Sequence, residues 1–142
     1  MKNQELEKRC YICRTDIIPG INYGAILKIA GKMFHQIESL TKRRPYIRSA
    51  YFKREKIFFD YFWSHLNQKN FRDRQRRIKF FGCAIELIKY SKLKPIFEIK
   101  NELQKENLYR FLGKIHEHYF IVQIKEDLKR KQRFLLSIFE YM

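Results

Sequence analysis

The side chains with the most evident chemistry are the cations concentrated between residues 42 and 79. These 38 residues carry thirteen basic and three acidic side chains, and so hold +10 of the chain's formal net charge of +16. Several arginines fall in the first turns of a helix predicted for residues 70–92, where a cation opposes the helix dipole and costs about 0.3–1 kcal/mol. Free backbone N–H groups and arginines together are suited to binding phosphate. The pattern therefore predicts phosphate contacts from Arg43, Arg44, Arg72, Arg74, Arg76, Arg77 and Lys79.

The excess of positive charge favours a polyanionic partner over a neutral small molecule. Aromatic residues lie among the cations, and they include Tyr46, Tyr51, Phe52 and Phe71. Because unpaired bases stack on such rings, the mixture favours single strands, but the charge pattern itself does not separate RNA from DNA. Scattered lysines such as Lys89 are instead expected to form an ordinary solvated face.

Two histidines, His116 and His118, flank a predicted hairpin turn. Either side chain is suited to general acid or base catalysis near neutral pH. The alternative is that both are exposed turn residues without a catalytic role. The sequence leaves both interpretations open.

Cys10 and Cys13 have the spacing of half a zinc site, but the chain contains no second pair of this kind. His35 and Cys83 have separations that match no standard zinc finger. Glycine-rich phosphate loops and nucleophile elbows are absent from the sequence, and its acidic residues are scattered. The sequence therefore predicts neither a metal site nor a cofactor.

Three helices are predicted to position the basic residues. Apolar residues recur at intervals of three and four over residues 21–40, which indicates one buried helical face. A second helix is predicted for residues 49–66, with a stripe that includes Ile57, Phe58, Tyr61 and Phe62. The third covers residues 70–92, with Asn70 as its N-cap. Residues 1–20 are expected to form an N-terminal arm.

The period changes to two after Pro95, which predicts a short strand at residues 96–99 and longer strands at 108–113, 118–125 and 133–139. Short connections between them indicate antiparallel pairing. Alternation assigns Phe120, Val122 and Ile124 to a face packed on helices, and residues such as Gln123 and Lys125 to an open face. The predicted fold is α+β, with about three N-terminal helices followed by a three- to four-stranded antiparallel sheet.

A chain of 142 residues suffices for one domain. We expect an arm (1–20), a basic helical part (21–92) and an antiparallel meander (95–142). Three cysteines are too few for a disulfide framework. Because the chain lacks a long apolar run and its start lacks the apolar core of a signal peptide, we expect a cytoplasmic protein without membrane contact.

The C-terminal third resembles the terminal meander of the barnase/EndoU/colicin/RelE-like nucleases. The resemblance lies in residues 108–114, 119–126 and 134–139. It is to the small versions found in bacterial toxin systems, phages and mobile elements. It implies N-terminal helices joined to an antiparallel sheet, and RNA cleavage without a metal. The helical part, residues 21–92, does not contribute to it.

The resemblance also implies roles for individual residues. Arg110 and Lys125 would hold the scissile phosphate, and Ser137 would contact it or orient the nucleophile. Tyr109 occupies a position where such nucleases often carry a base. That role falls to His118 or His116, unless the site depends on cationic groups and substrate positioning alone.

The favoured hypothesis is therefore a toxin-like, metal-independent ribonuclease with catalytic residues Arg110, Lys125, Ser137 and His118. One alternative is a non-catalytic RNA- or DNA-binding module, and another is an accessory subunit of a ribonucleoprotein. The expected partners are nucleic acid together with a cognate inhibitor or a ribonucleoprotein component. The most informative observation for the nuclease hypothesis is whether Arg110, Lys125, Ser137 and a histidine converge on one open face.

Overall fold

Short helices and strands precede a long C-terminal meander in the computed structural model, which describes residues 3–141. The helices are α1 (Asn3–Lys8), α2 (Tyr23–Ser39), α3 (Phe62–Asn67), α4 (Phe71–Ile78) and α5 (Phe81–Tyr90). The strands are β1 (Cys10–Ile12), β2 (Tyr46–Ser49), β3 (Glu55–Phe58), β4 (Phe97–Asn101), β5 (Glu106–Ile115), β6 (His118–Asp127) and β7 (Gln132–Tyr141). The α+β class is confirmed, although the described residues form five helices and seven strands. The ends of the predicted arm and meander, residues 1, 2 and 142, lie outside the described range.

All seven strands belong to one sheet, with the order β1-β5-β6-β7-β3-β2. Strand β4 pairs with residues 106–110 of β5 and β1 pairs with residues 112–114, so these two short strands share one edge of β5. The β1–β5 and β3–β7 pairs are parallel, and the other pairs are antiparallel. Strands β4 to β7 confirm the four predicted strands, but the complete sheet is larger than predicted and mixed.

The helix predicted for residues 49–66 is wrong. Residues 46–58 form the β2–β3 hairpin, and only residues 62–67 are helical. Ile47 and Ile57 are paired and buried, as expected for alternating β-branched residues on a half-buried strand. Lys53 and Arg54 adopt φ values of 54° and 70°, which turn the chain between the two strands.

The helix predicted for residues 21–40 is confirmed as α2, whereas the helix predicted for residues 70–92 is divided into α4 and α5. The Asn70 side chain caps α4 by accepting a 2.9 Å hydrogen bond from the backbone N–H of Asp73. Because α4 has only eight residues, Arg76 and Arg77 lie in its last turn, where cations complement the dipole. Only Arg72 and Arg74 therefore lie near the start of α4, where a cation opposes the helix dipole.

The sheet presents one face to α2 and α5, and this face forms the main core. Phe120, Val122 and Ile124 are buried there, as the alternation predicted. The opposite face is called the open face below. One end of it is covered by α1, whose Leu6 packs against the buried Ile121. In the part of the chain that the structure describes, no helix has the length and apolar character needed to cross a bilayer.

Glu86 of α5 fastens the segment that follows β1. Its carboxylate accepts hydrogen bonds from the hydroxyls of Tyr11 at 2.7 Å and Thr15 at 2.6 Å, and from the backbone N–H groups of Arg14 and Thr15. Burial alone would raise the pKa of Glu86, but the hydrogen bonds outweigh this effect and lower it. The ionised carboxylate thus holds the chain next to β1, which supplies Cys10 and Ile12 to the open face.

Close packing between β5 and β6 depends on a glycine. Phe120 lies over Gly113, and a Cβ at this position would be 2.3 Å from Cζ of Phe120. We expect Gly113→Ala to lower the free energy of unfolding by about 1–3 kcal/mol, because the ring must move within a filled core. Urea denaturation measures this change.

The control is Gly31→Ala on the exposed side of α2, where an added Cβ meets nothing within 4 Å. This change is expected to be neutral or to stabilise the protein by up to about 1 kcal/mol, because alanine is the better helix former. Equal losses for the two variants would contradict the packing described for Gly113.

Candidate nucleic-acid interface

Three of the four predicted catalytic residues lie on the open face. Arg110 of β5 is directly opposite Gln123 of β6, which is directly opposite Ser137 of β7. The Nε of Arg110 donates a 2.7 Å hydrogen bond to Oε1 of Gln123. Lys125 lies two residues further along β6 on the same face, and its ammonium is 3.1 Å from Oε1 of Glu106. Antiparallel pairing therefore brings Arg110 and Ser137, which are 27 positions apart in the chain, onto one face.

Arg110, Gln123 and Ser137 form a row across three strands, and only part of this row reaches solvent. Arg110 is exposed, whereas Ser137 is 5% exposed and Gln123 is 9% exposed. The buried Gln123 amide fixes one side of the guanidinium. The terminal nitrogens of Arg110 form no hydrogen bond with the described residues, so they are the groups in this row that can meet an anion.

The prediction that a histidine joins these residues is contradicted by the geometry. His118 lies on the opposite, helix-packed face, and its ring centroid is 6.2 Å from that of Phe80. His116 occupies the hairpin turn with a φ of 52°, and its Nε2 is 3.1 Å from Oδ1 of Asp16. The reason is the period of two, because His118 has the same parity as Phe120 and therefore points to the helices.

Aromatic rings flank the Arg110 guanidinium. Its Cζ is 5.2 Å from the ring centroid of Phe97 on β4 and 5.4 Å from that of Phe139 on β7. Arg77 extends from α4 to the same Phe139 ring, with its Cζ 5.6 Å from the centroid. These distances are within the range of cation–π attraction.

The alternation of cations and rings continues towards the opposite edge of the sheet. The Lys125 ammonium is 5.2 Å from the ring of Tyr61, which packs against Phe134 at 4.8 Å. The Arg44 guanidinium lies 4.0 Å from the ring centroid of Phe58 and pairs with Asp60 at 2.8 Å. Cations and rings thus alternate along the open face from β4 to β3.

The predicted phosphate-binding residues divide into three groups. Arg44 and Arg77 contact aromatic rings of the open face and are also ion-paired, Arg44 with Asp60 at 2.8 Å and Arg77 with Asp73 at 3.2 Å. Arg74 donates to the backbone carbonyls of Asn67 and Lys69, and Lys79 lies 3.5 Å from Glu140, so these two side chains are engaged within the fold. The exposed members are Arg43, Arg72 and Arg76.

Some aromatic residues lie elsewhere than the sequence predicts. Tyr51 and Phe52, predicted to stack on bases, pack against Phe111 at centroid distances of 5.1 Å and 6.0 Å. Conversely, Phe97 and Phe139 were not recognised as site residues. Alternation within one strand indicates a face, but only the register between strands shows which cation each ring meets.

The cysteine pair is divided between two clusters. Cys10 packs against Leu112 and Ile121 on the open face, and burial raises the pKa of its thiol. Cys13 belongs to the main core, where its Sγ lies 3.6 Å from the carbonyl oxygen of Cys83. Among residues 3–141, no group of three or more His, Cys, Asp or Glu side chains is placed to hold a metal ion.

Comparison with known proteins gives no match to a protein-family model, a curated protein or a solved structure. Guanidinium groups bind phosphate oxygens, and rings beside them offer surfaces on which bases stack. Buried Gln123 holds one such guanidinium in place.

Proposed function

We propose that this protein acts on RNA, and that its open face binds a single-stranded segment. The observation that carries the proposal is Arg110, which is exposed, fixed by Gln123 and flanked by the rings of Phe97 and Phe139. Phosphates would bind to the guanidinium while neighbouring bases stack on the rings. Such stacking contributes about 1–3 kcal/mol per base and tolerates different sequences.

The more specific form of the proposal is metal-independent cleavage. In this step the 2′-oxygen of RNA attacks the adjacent phosphorus as its proton passes to water, and the bond between phosphorus and the 5′-oxygen breaks. The 5′-oxygen takes up a proton from water, so the products are a 2′,3′-cyclic phosphate and a 5′-hydroxyl end. The protein needs cations where negative charge develops and groups that hold the strand in line. Arg110 and Lys125 are the cations proposed for this role. The histidines considered from the sequence lie elsewhere, which favours a mechanism based on charge stabilisation and positioning.

A non-catalytic binding module is the second candidate. It is favoured by the ion pair between Lys125 and Glu106, which neutralises part of the charge that catalysis would use. It is also favoured by the burial of Ser137. In this case the same face binds RNA, but no bond is broken.

The location of the interface is tested by charge reversal. We expect Arg110→Glu to weaken binding of a fluorescein-labelled single-stranded RNA by at least about tenfold at 0.15 M salt, because a phosphate contact becomes a repulsion. Fluorescence anisotropy measures the affinity. A 2′-O-methyl RNA keeps the ligand intact during the measurement.

The matched control is Lys89→Glu. Lys89 is exposed on α5, on the helix-packed side, and the substitution changes the net charge by the same amount. We expect its effect to stay within about threefold, the size of a long-range electrostatic contribution. Equal losses for the two variants would place binding elsewhere on the molecule.

A further inference from the structure

The open face continues past Arg110 into a cavity that the proposed cation–aromatic interface does not use. It lies between α1, β1, the second half of β5, the start of β6 and the end of β7, and it has a volume of about 660 Å³. A smaller cavity of about 200 Å³ contains Arg110. Leu6 and Tyr141 line both cavities, so the two form neighbouring parts of one groove.

The walls of the larger cavity combine flat, apolar and cationic surfaces, and the acidic residue Glu7 of α1 also lines it. Tyr119 and Tyr141 are directly opposite each other on β6 and β7, and they remain 36% and 38% exposed. The floor is formed by Leu112, which is buried. The Lys114 ammonium lies 5.1 Å from the ring centroid of Tyr119.

This combination fits a nucleobase with its attached phosphate. A base has two apolar faces that stack on tyrosine rings, and its polar edge and phosphate suit a nearby ammonium. The volume lies within the range of about 300–1,000 Å³ that is usual for small-molecule sites. A purely aliphatic ligand would leave the position of Lys114 without a function.

We propose that this cavity binds one unpaired base of the RNA strand whose phosphate lies on Arg110. The inference rests on the proposed function and adds a specific subsite to it. Arg110 and Lys114 are four residues apart on β5, about 13 Å along the strand, a distance that a short extended stretch of RNA spans. The shared wall residues, Leu6 and Tyr141, make the path between the two positions continuous.

The test separates base binding from phosphate binding. The probes are a labelled 2′-O-methyl octanucleotide and an abasic oligomer with the same number of phosphates. We expect the wild-type protein to bind the base-containing probe at least about tenfold more tightly. We expect Tyr119→Ala/Tyr141→Ala to reduce this preference about tenfold, because the stacking surfaces are removed.

Two further variants make the outcome specific to the cavity. Leu6→Trp fills the space beside Tyr141 and should reduce the base preference in the same way. Tyr90→Ala removes a 66% exposed tyrosine from α5 and should leave the preference unchanged. Circular dichroism confirms folding, and the two exposed tyrosine positions keep the test valid if Leu6→Trp is unstable.

The inference fails if the wild-type protein binds both probes equally, which would also exclude base stacking on Phe97 and Phe139, or if the cavity variants retain the full base preference. A peptide-binding role for the cavity would give the second result. Absence of binding to either probe would instead overturn the proposed function. The two failures are therefore distinguishable in one experiment.

Discussion

RNA is expected to lose about 300-fold in affinity for the wild-type protein when monovalent salt is raised from 50 to 200 mM. The estimate assumes about six phosphate contacts and a slope of about −0.7 in log affinity against log salt for each contact on a single strand. The residues proposed to make contacts are exposed or on the open face: Arg43, Arg44, Arg72, Arg76, Arg110 and Lys125. A titration followed by anisotropy at four salt concentrations gives the slope.

The structure distinguishes two kinds of arginine on α4 in this experiment. Arg72→Ala and Arg76→Ala should each flatten the slope by about 0.7, because both side chains are exposed. Arg74→Ala should change the slope less and lower the melting temperature, because Arg74 donates to the carbonyls at the end of α3. Binding that is insensitive to salt would contradict the phosphate-contact hypothesis.

The meander was the part of the fold most open to prediction. Strands β5, β6 and β7 have ten residues each, long enough for the period of two to be clear. Strand β1 has three residues, and β2 and β3 have four each, so a helical stripe and a strand pattern cannot be separated there. The hairpin at residues 46–58 was therefore predicted as part of a helix.

A bulge explains why alternation failed within β7. Ser137 is opposite Gln123, but Leu135 and not Leu136 is opposite Ile124. The extra residue reverses the faces, so Leu135 enters the main core. Phe134 consequently lies beside Phe58 and Tyr61 on the other side of the sheet. Strict alternation from Ser137 would instead place Leu135 on the open face and Phe134 on the helix-packed face.

The candidate site could be predicted only in part, because its contacts depend on the register between strands. The resemblance to small nucleases suggested Arg110, Lys125 and Ser137, and the structure places all three on one face. That His118 does not join these three residues follows from strand alternation alone. It is two positions from Phe120, which alternation assigns to the helix-packed face. Phe97 is placed beside Arg110 by the pairing of β4 with β5, and Phe139 by the registers of β5, β6 and β7, and such contacts between strands have no signature within a single strand.

Replacing either proposed catalytic cation should separate cleavage from binding. We expect Arg110→Ala and Lys125→Ala each to lower the cleavage rate at saturating RNA by about 10²-fold or more, because their charge acts where the transition state becomes more negative than bound RNA. Affinity should fall only several-fold, since the other proposed phosphate contacts remain. Gel analysis of labelled single-stranded, structured and ribosome-bound RNAs measures the cleavage rate. Cleavage should persist in EDTA, because side chains supply the stabilising charge.

His118→Ala provides the sharpest control for this prediction. Its ring lies on the helix-packed face near Phe80, away from Arg110, so cleavage should stay within about threefold of the wild-type rate. A loss as large as that of Arg110→Ala would mean that catalysis occurs on the other side of the sheet. If the wild-type protein binds the RNAs but cleaves none of them, the cations of the open face serve binding alone, and the module interpretation replaces the nuclease. The same Arg110 and Lys125 variants would then change only affinity, in proportion to the phosphate contacts that they remove.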